Sequence, residues 1–323
     1  MKKRDKRIDT LRGGVILLVV LGHILGMVGT EDDVVNDWVW KFIATFWMPL
    51  FIFITGWLTN KKRIDAFFSG INSLLKPLLL FQMISLFFMW LTGRTLTIRS
   101  LIIPHFALWF LLSLVYWRFI IQFIPLKLLE KKYVLIGVAI ILSVCCGLMP
   151  MGKILSVQRT FHFFVFFIFG YYIGHGHLKA QLWNNRISYI IIASIILLIC
   201  LGMYPSNSRD LLNGSIHYQI RDLPSKAFLL LCSFSLSLSV FYVAKTNCFF
   251  EYFGKNSMTY YLYHGLLVEF VLLPIVQKYN LPTSFPYICL YFFIIILIVF
   301  YISKINLFVW LTKPTTPIFF KRF

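Results

Sequence analysis

The chain alternates long apolar runs with short polar breaks. Runs of about twenty apolar residues, separated by charged residues, Pro or Gly, predict helices that cross the hydrocarbon core of a bilayer. Strands are not indicated, because period-2 alternation is missing and each spanning segment has to satisfy its own backbone hydrogen bonds in lipid. The sequence therefore predicts an all-α polytopic integral membrane protein with ten transmembrane helices, near residues 13–29, 42–59, 76–92, 106–124, 133–150, 161–175, 188–203, 226–244, 258–276 and 285–311.

An even number of spans puts both termini on one side of the membrane. The basic segments "MKKRDKR", "NKKR", "PLKLLEKK" and "KPTTPIFFKRF" fall on that side, and the excess of Lys and Arg there predicts the cytoplasmic face. The first opposite loop, "GTEDDVVND", carries four acidic residues and no base. We expect residues 204–225 outside, in a multi-pass protein of the cell membrane. Eight bases remain on the outer side: Arg94, Arg99, Lys153, Arg159, Arg209, Arg221, Lys226 and Lys278.

Composition supports this assignment and excludes other classes. Hydrophobic residues make up 59% of the 323 residues and charged ones 13%, which is too apolar for a soluble domain. The net charge of +19 is spread between the apolar runs, so it predicts topology signals and no nucleic-acid binding. The first run follows a basic start without a small-residue cleavage site, and we expect it to be a retained span.

The cysteine and histidine spacings do not predict a metal site. The six cysteines form neither a CxxC pair nor a spaced framework, so disulfides are not expected either. His175 and His177 lie two residues apart at the end of a span, without carboxylate or thiolate ligands nearby. No metal cofactor is therefore expected.

Arg12 and His23 are the first candidates for chemistry. Eleven residues correspond to about three turns of helix, so the two side chains share a face if the helix is continuous, with a rise of about 16 Å between them. Arg12 at the cytoplasmic interface would then put His23 near mid-membrane, where a titratable side chain is costly and usually functional. The structural alternatives are an interfacial anchor for Arg12 and a packing histidine for His23. Asp9 either pairs with Arg12 at i,i+3 or caps the helix.

The segment that holds these residues, "RIDTLRGGVILLVVLGH", resembles the opening signature of the acyltransferase 3 family of membrane-bound O-acyltransferases. The spacing of arginine, ten residues and histidine is the specific part of the likeness. Later blocks resemble further spans of the family in the same order: "FWMPLFIFITGWL", "LLKPLL", "LWFLLSL", "QRTFHFFVFFIFGYYIG" and "NSMTYYLYHG".

The resemblance implies a membrane O-acetyltransferase. The implied donor is cytoplasmic acetyl-CoA, and the implied acceptor is a hydroxyl of a cell-envelope or capsular polysaccharide or of its lipid-linked precursor. His23 would be the catalytic base and Arg12 part of the donor site. Many relatives have paired arginines after the second span. Here Lys61, Lys62 and Arg63 would supply the positive charge for the donor, although lysine does not guarantee bidentate binding of phosphate. Without the esterase-like domain that some relatives carry, we expect the chain to act alone or to hand acyl groups to another enzyme.

Five further residues in or near the spans are candidates. His264 is a second candidate for the catalytic base, and Glu269 is a supporting candidate that does not share its helix face well. Arg159 and His162 open the sixth span on the predicted outer side, where they would bind a phosphate or carboxylate of the acceptor. Arg118, in the inner half of the fourth span, would serve the CoA end. The alternatives are a structural histidine for His264, an ion-pair partner of a base on a neighbouring helix for Glu269, and bases that reach toward their nearer interface for Arg159 and Arg118.

Two other classes of function remain open from the residues alone. A transporter or flippase for a glycan or small metabolite would also have about ten helices, intramembrane histidines and outer bases. A receptor-like or assembly subunit would carry no chemistry. Acetyl groups on the envelope glycan discriminate between these classes and the enzyme.

Overall fold

The computed structural model describes residues 5–30, 32–149, 152–176, 204–205 and 207–313. These residues form α-helices joined by short turns. The helices are α1 (Lys6–Met27), α2 (Val34–Leu58), α3 (Ile64–Leu91), α4 (Ile98–Ile102), α5 (Trp109–Phe123), α6 (Leu126–Glu130), α7 (Lys132–Cys145), α8 (Val157–Gly174), α9 (Ser208–Asn213), α10 (Leu223–Val243), α11 (Cys248–Lys255), α12 (Ser257–Leu267), α13 (Leu273–Lys278), α14 (Phe285–Ile302) and α15 (Asn306–Thr312). A π-helical turn, Val268–Leu272, joins α12 to α13.

The predicted all-α membrane architecture is confirmed. Within the described ranges, eight helical stretches are long and apolar enough to cross a membrane: Lys6–Met27, Val34–Leu58, Ile64–Leu91, Phe106–Phe123, Ile154–Gly174, Ile220–Val243, Ser257–Lys278 and Phe285–Ile302. A shorter apolar helix, Lys132–Leu148, occupies the predicted fifth span. The predicted span at 188–203 lies outside the described residues.

Several helices extend beyond the apolar runs that predicted them. Helix α1 begins at Lys6, seven residues before the predicted start, and its N-cap is Asp5, whose carboxylate accepts a hydrogen bond from the amide of Arg7. The alternative reading of Asp9 as the cap is therefore wrong. Polar residues at a membrane interface continue a helix readily, so hydropathy marks the apolar core of a helix better than its ends.

The predicted last span, 285–311, is wrong at its C-terminal end. Helix α14 stops at Ile302, and α15 begins after a turn. The 18 residues of α14 span about 27 Å along the helix axis, which is close to the thickness of the hydrocarbon core. In the turn, the Lys304 ammonium lies 5.1 Å from the ring centre of Tyr252 and 4.9 Å from that of Phe300. Such cation–π contacts hold the charge beside the end of the helix.

The chain divides into two compact units. Unit 1 contains Met1–Phe51, Asn185–Tyr204 and Cys232–Thr312, and unit 2 contains Ile52–Asn184, Pro205–Leu231 and Lys313–Phe323. In unit 1, α1 packs on α11 and α12. In unit 2, α8 packs on α7 and α5, and α5 also contacts α3.

The crossing of α1 and α11 in unit 1 depends on a glycine. A Cβ atom at Gly13 would collide with the carbonyl group of Phe250 and lie 2.8 Å from the amide nitrogen of Gly254. Beside this crossing, the Thr10 hydroxyl accepts a hydrogen bond from the amide of Asn247 at 3.1 Å and lies 3.3 Å from its carbonyl oxygen. The Arg7 guanidinium donates to the carbonyl of Phe241. The signature segment thus binds α1 to the chain around α11.

Candidate active site

His23 and His264 form a hydrogen-bonded pair in unit 1. Nδ1 of His23 lies 2.8 Å from Nε2 of His264, and the two rings are nearly parallel, at 10°. His264 is fully buried, whereas His23 is half-buried. The indole of Trp47 packs beside His23, with ring centres 5.3 Å apart. The two separate candidates for the catalytic base therefore belong to one arrangement.

The hydrogen bonds of this pair define the proton positions of its neutral form. Nδ1 of His264 lies 2.8 Å from the carbonyl oxygen of Tyr260, which only accepts hydrogen bonds. Nδ1 of His264 therefore carries a proton, and its Nε2 accepts. His23 must then donate through Nδ1, so the lone pair of neutral His23 is on Nε2. This is the nitrogen that is suited to take a proton from a substrate.

Arg12 lies on the same continuous helix as His23, as the spacing predicts, and its guanidinium contacts α12. Its Nη2 donates to the hydroxyl of Ser257 at 2.7 Å, and Nη1 is 4.0 Å from the carboxylate of Asp9. Asp9 and Ser257 are buried, at 3% and 2% exposure, while 29% of the Arg12 side chain is exposed. Helix α12 thus contacts Arg12 through its first residue and His23 through His264.

In unit 2, Lys62 and Arg118 line a small pocket together with Leu58, Thr59, Asn60, Phe67 and Gly70. Burial and, second, the neighbouring charge of Arg118 lower the pKa of Lys62 from its ordinary value. Lys61 donates to the carbonyl of Ile124 at 2.8 Å. The Arg63 side chain is 91% exposed, 4.0 Å from Asp65. Of the predicted donor residues in this unit, Lys62 and Arg118 therefore share one concave surface.

Arg159 and His162 lie on α8 in unit 2, but they contact different groups. Arg159 donates to the side-chain oxygen of Asn213 at 2.5 Å and to its carbonyl at 3.2 Å, and its guanidinium lies 5.0 Å from the ring centre of Trp109. His162 is 4% exposed, and its Nδ1 lies 2.7 Å from Nζ of Lys226. The same Nζ donates to the carbonyl of Leu211 at 2.6 Å. Arg159 thus contacts the end of α9, and His162 contacts the start of α10.

Glu269 lies in the π-helical turn that follows α12 and is 7% exposed. The wider turn changes the register of the helix directly after the segment that carries His264.

As for metals, no group of three or more His, Cys, Asp or Glu side chains that could hold an ion occurs among the residues that the structure describes.

Three contacts of these sites escape sequence reasoning. Ser257, the partner of Arg12, is an ordinary serine at the start of a helix. Lys226 resembles an outer base at the start of a span, yet it is 2% exposed and bound to His162. The carbonyl of Tyr260 has no sequence signal at all. The spacing of Ser257 and His264, seven residues or about two turns, was the one available signal, because it puts both on one face of α12.

A family model for the acyltransferase domain matches residues 5–304 of the chain. No curated protein and no solved structure matches the chain. The matched range includes the histidine pair, Arg12 and the Lys62 pocket, and the helices that carry them include apolar stretches of membrane-spanning length. The chain therefore belongs to the acyltransferase 3 family and is a multi-pass membrane acyltransferase.

Proposed function

We propose that this acyltransferase is an O-acetyltransferase of the cell membrane. It moves an acetyl group from cytoplasmic acetyl-CoA to a hydroxyl of a cell-envelope or capsular polysaccharide, or of its lipid-linked precursor. The observation that carries the proposal is the pair of His23 and His264. An imidazole with its lone pair on a defined nitrogen is suited to general-base catalysis near neutral pH.

In the proposed reaction, Nε2 of His23 takes the proton of the acceptor hydroxyl. The oxygen attacks the carbonyl carbon of the acetyl thioester, a C–O bond forms, and the C–S bond then breaks. The proton passes from His23 to the coenzyme A thiolate, so the enzyme returns to its starting state. While His23 is protonated, its Nδ1–H donates a charge-assisted hydrogen bond to His264, which is stronger than the neutral bond.

The donor is an anion, and the cationic side chains are suited to its phosphates. Arg12, oriented by Ser257, presents a guanidinium on the helix face that leads to His23. Lys62 and Arg118 supply two further cations on one concave surface. Lys61 and Arg63 flank them in the sequence. The acceptor role of Arg159 and His162 remains a prediction, as does the supporting role of Asp9 and Glu269.

The test compares cells that express the protein, cells that lack it, and cells that express His23→Ala. Acetyl esters on purified envelope glycan are quantified after mild alkaline release. Removal of a general base typically costs about 10² to 10⁴ in rate, so His23→Ala should abolish acetylation at an unchanged membrane level. The matched control is His217→Ala, which removes an exposed histidine outside the site. Normal acetylation by His23→Ala would refute the proposal, and equal acetyl content with and without the protein would favour a transporter.

A further inference from the structure

The N-terminal half of α2 presents two tryptophans to α1 beside the histidine pair. A Cβ atom at Gly22 would collide with the ring of Trp47, and one at Gly26 would lie 2.9 Å from Nε1 of Trp40. Trp47 also contacts His23 directly. Trp40 and Trp47 are seven residues apart, so they share a face of α2 about two turns from each other. Trp40 is thus the next indole along this face after the one that touches His23.

Exposure changes along this face of α1. His23 is half-buried and Gly26, one turn further along α1, is exposed, whereas Gly22 is buried. Trp40, beside Gly26, is half-buried, and Trp47 is 7% exposed. Trp40 is therefore more exposed than the indole that touches His23, and it lies next to the exposed Gly26. Trp47 is covered and serves to pack His23.

Next to Trp40, the first turns of α2 carry an ion pair. The ammonium of Lys41 is 2.6 Å from the carboxylate of Asp37, and 18% and 23% of the two side chains are exposed. At 100° per residue, Asp37 lies about 60° and Lys41 about 100° round the helix from Trp40. The phenol of Tyr204 donates to the carbonyl of Lys41 at 3.0 Å. The proposed reaction does not use this pair.

We infer that Trp40 and Asp37 bind the acceptor sugar, with Lys41 holding the Asp37 carboxylate in place. The inference rests on the proposed function and deepens it. An indole offers a large flat apolar area for the C–H face of a pyranose, and a carboxylate offers hydrogen-bond acceptors for its hydroxyls. The ligand class is therefore a neutral pyranoside or a glycan built from such units. One sugar on Trp40 would place the adjoining part of the acceptor toward His23.

The test measures acetyl transfer from radiolabelled acetyl-CoA to the envelope glycan in isolated membranes. Trp40→Ala should lower the initial rate about tenfold or more, as truncation of a buried tryptophan anchor does in other binding sites. Trp40→Phe, which keeps a flat ring, should retain more activity than Trp40→Ala. Asp37→Asn, which keeps the shape and removes the charge, should also lower the rate. Coenzyme A affinity, measured by calorimetry on the purified proteins, should stay at the wild-type value in all three variants.

The matched control is Trp38→Ala. Trp38 is a half-buried tryptophan on the same helix, on nearly the opposite side, where it stacks on Phe42 with ring centres 5.8 Å apart. A belt of interfacial aromatics would make the two alanine variants equal, and that result would overturn the inference. Loss of coenzyme A affinity in Trp40→Ala would also overturn it. If the unaltered protein transfers no acetyl group to glycan, the proposed function fails, which is a different outcome.

Discussion

Replacement of His264 by phenylalanine tests the role of the histidine pair. Phenylalanine fills the buried position but cannot accept the hydrogen bond from Nδ1 of His23. A charge-assisted hydrogen bond is worth about 1.5–3 kcal/mol and a neutral one about 0.5–1.5 kcal/mol. Because the bond gains charge as His23 takes the proton, its loss should raise the barrier by about 1–1.5 kcal/mol. We therefore expect His264→Phe to lower kcat roughly tenfold.

The assay is the initial rate of acetyl transfer in membranes, at several concentrations of acetyl-CoA. The decrease should appear in kcat, while KM for acetyl-CoA stays constant, because His264 acts through His23. His264→Gln provides an acceptor oxygen and should restore part of the rate. In the double variant His23→Ala/His264→Phe, the rate should equal that of His23→Ala alone, because the second residue works only through the first. A further decrease in the double variant, or an unchanged kcat in His264→Phe, would refute the reasoning.

Three further predictions concern the donor pocket, the helix crossing and the topology. Only the protonated Lys62 attracts phosphate, and burial and Arg118 lower its pKa, so coenzyme A affinity should fall as the pH rises through that lowered pKa. In calorimetry, Lys62→Arg should move this loss of affinity to higher pH. An unchanged pH profile in Lys62→Arg would exclude Lys62 from the donor site. Gly13→Val should lower the thermal unfolding temperature of the purified protein by several degrees, because the crossing with α11 has no room for a side chain. The control is Gly14→Ala, which should leave the unfolding temperature unchanged because a Cβ atom there meets nothing within 4 Å. A cysteine at the exposed position Gln219 should react with an impermeant thiol reagent in intact cells, and protection of a well-expressed variant would reverse the predicted orientation.

Much of the fold follows from the sequence because hydropathy in lipid is a strong constraint. Long apolar runs specify helices, and the Arg12–His23 spacing specifies one shared face, since both depend on local geometry alone. The ends of the helices do not follow as well. Residues such as Lys6 and Val34 are helical although they lie outside the apolar runs, and the break after Ile302 lies within a predicted span.

The candidate site is only partly readable from the sequence. His23 and His264 are each visible as titratable residues in a span, but their contact depends on the packing of α1 against α12, which no local pattern specifies. Lys226 shows the same limit, because a lysine at the start of a span predicts an interfacial base. Burial against His162 is a property of the tertiary fold. The sequence therefore identifies which groups are candidates more readily than which of them interact.

The division of unit 1 along the chain has a consequence for biosynthesis. His23 and His264 are 241 residues apart, and the segment between them contains most of unit 2. Contacts between distant residues form late, because the intervening chain has to be made and its loop closed first. During synthesis α1 therefore inserts long before α11 and α12 exist, with Asp9 and Arg12 still lacking the surroundings that bury them. In the proposed mechanism, a nascent chain that has completed the helices of unit 2 would still be inactive, because activity would require the last quarter of the sequence to join α1.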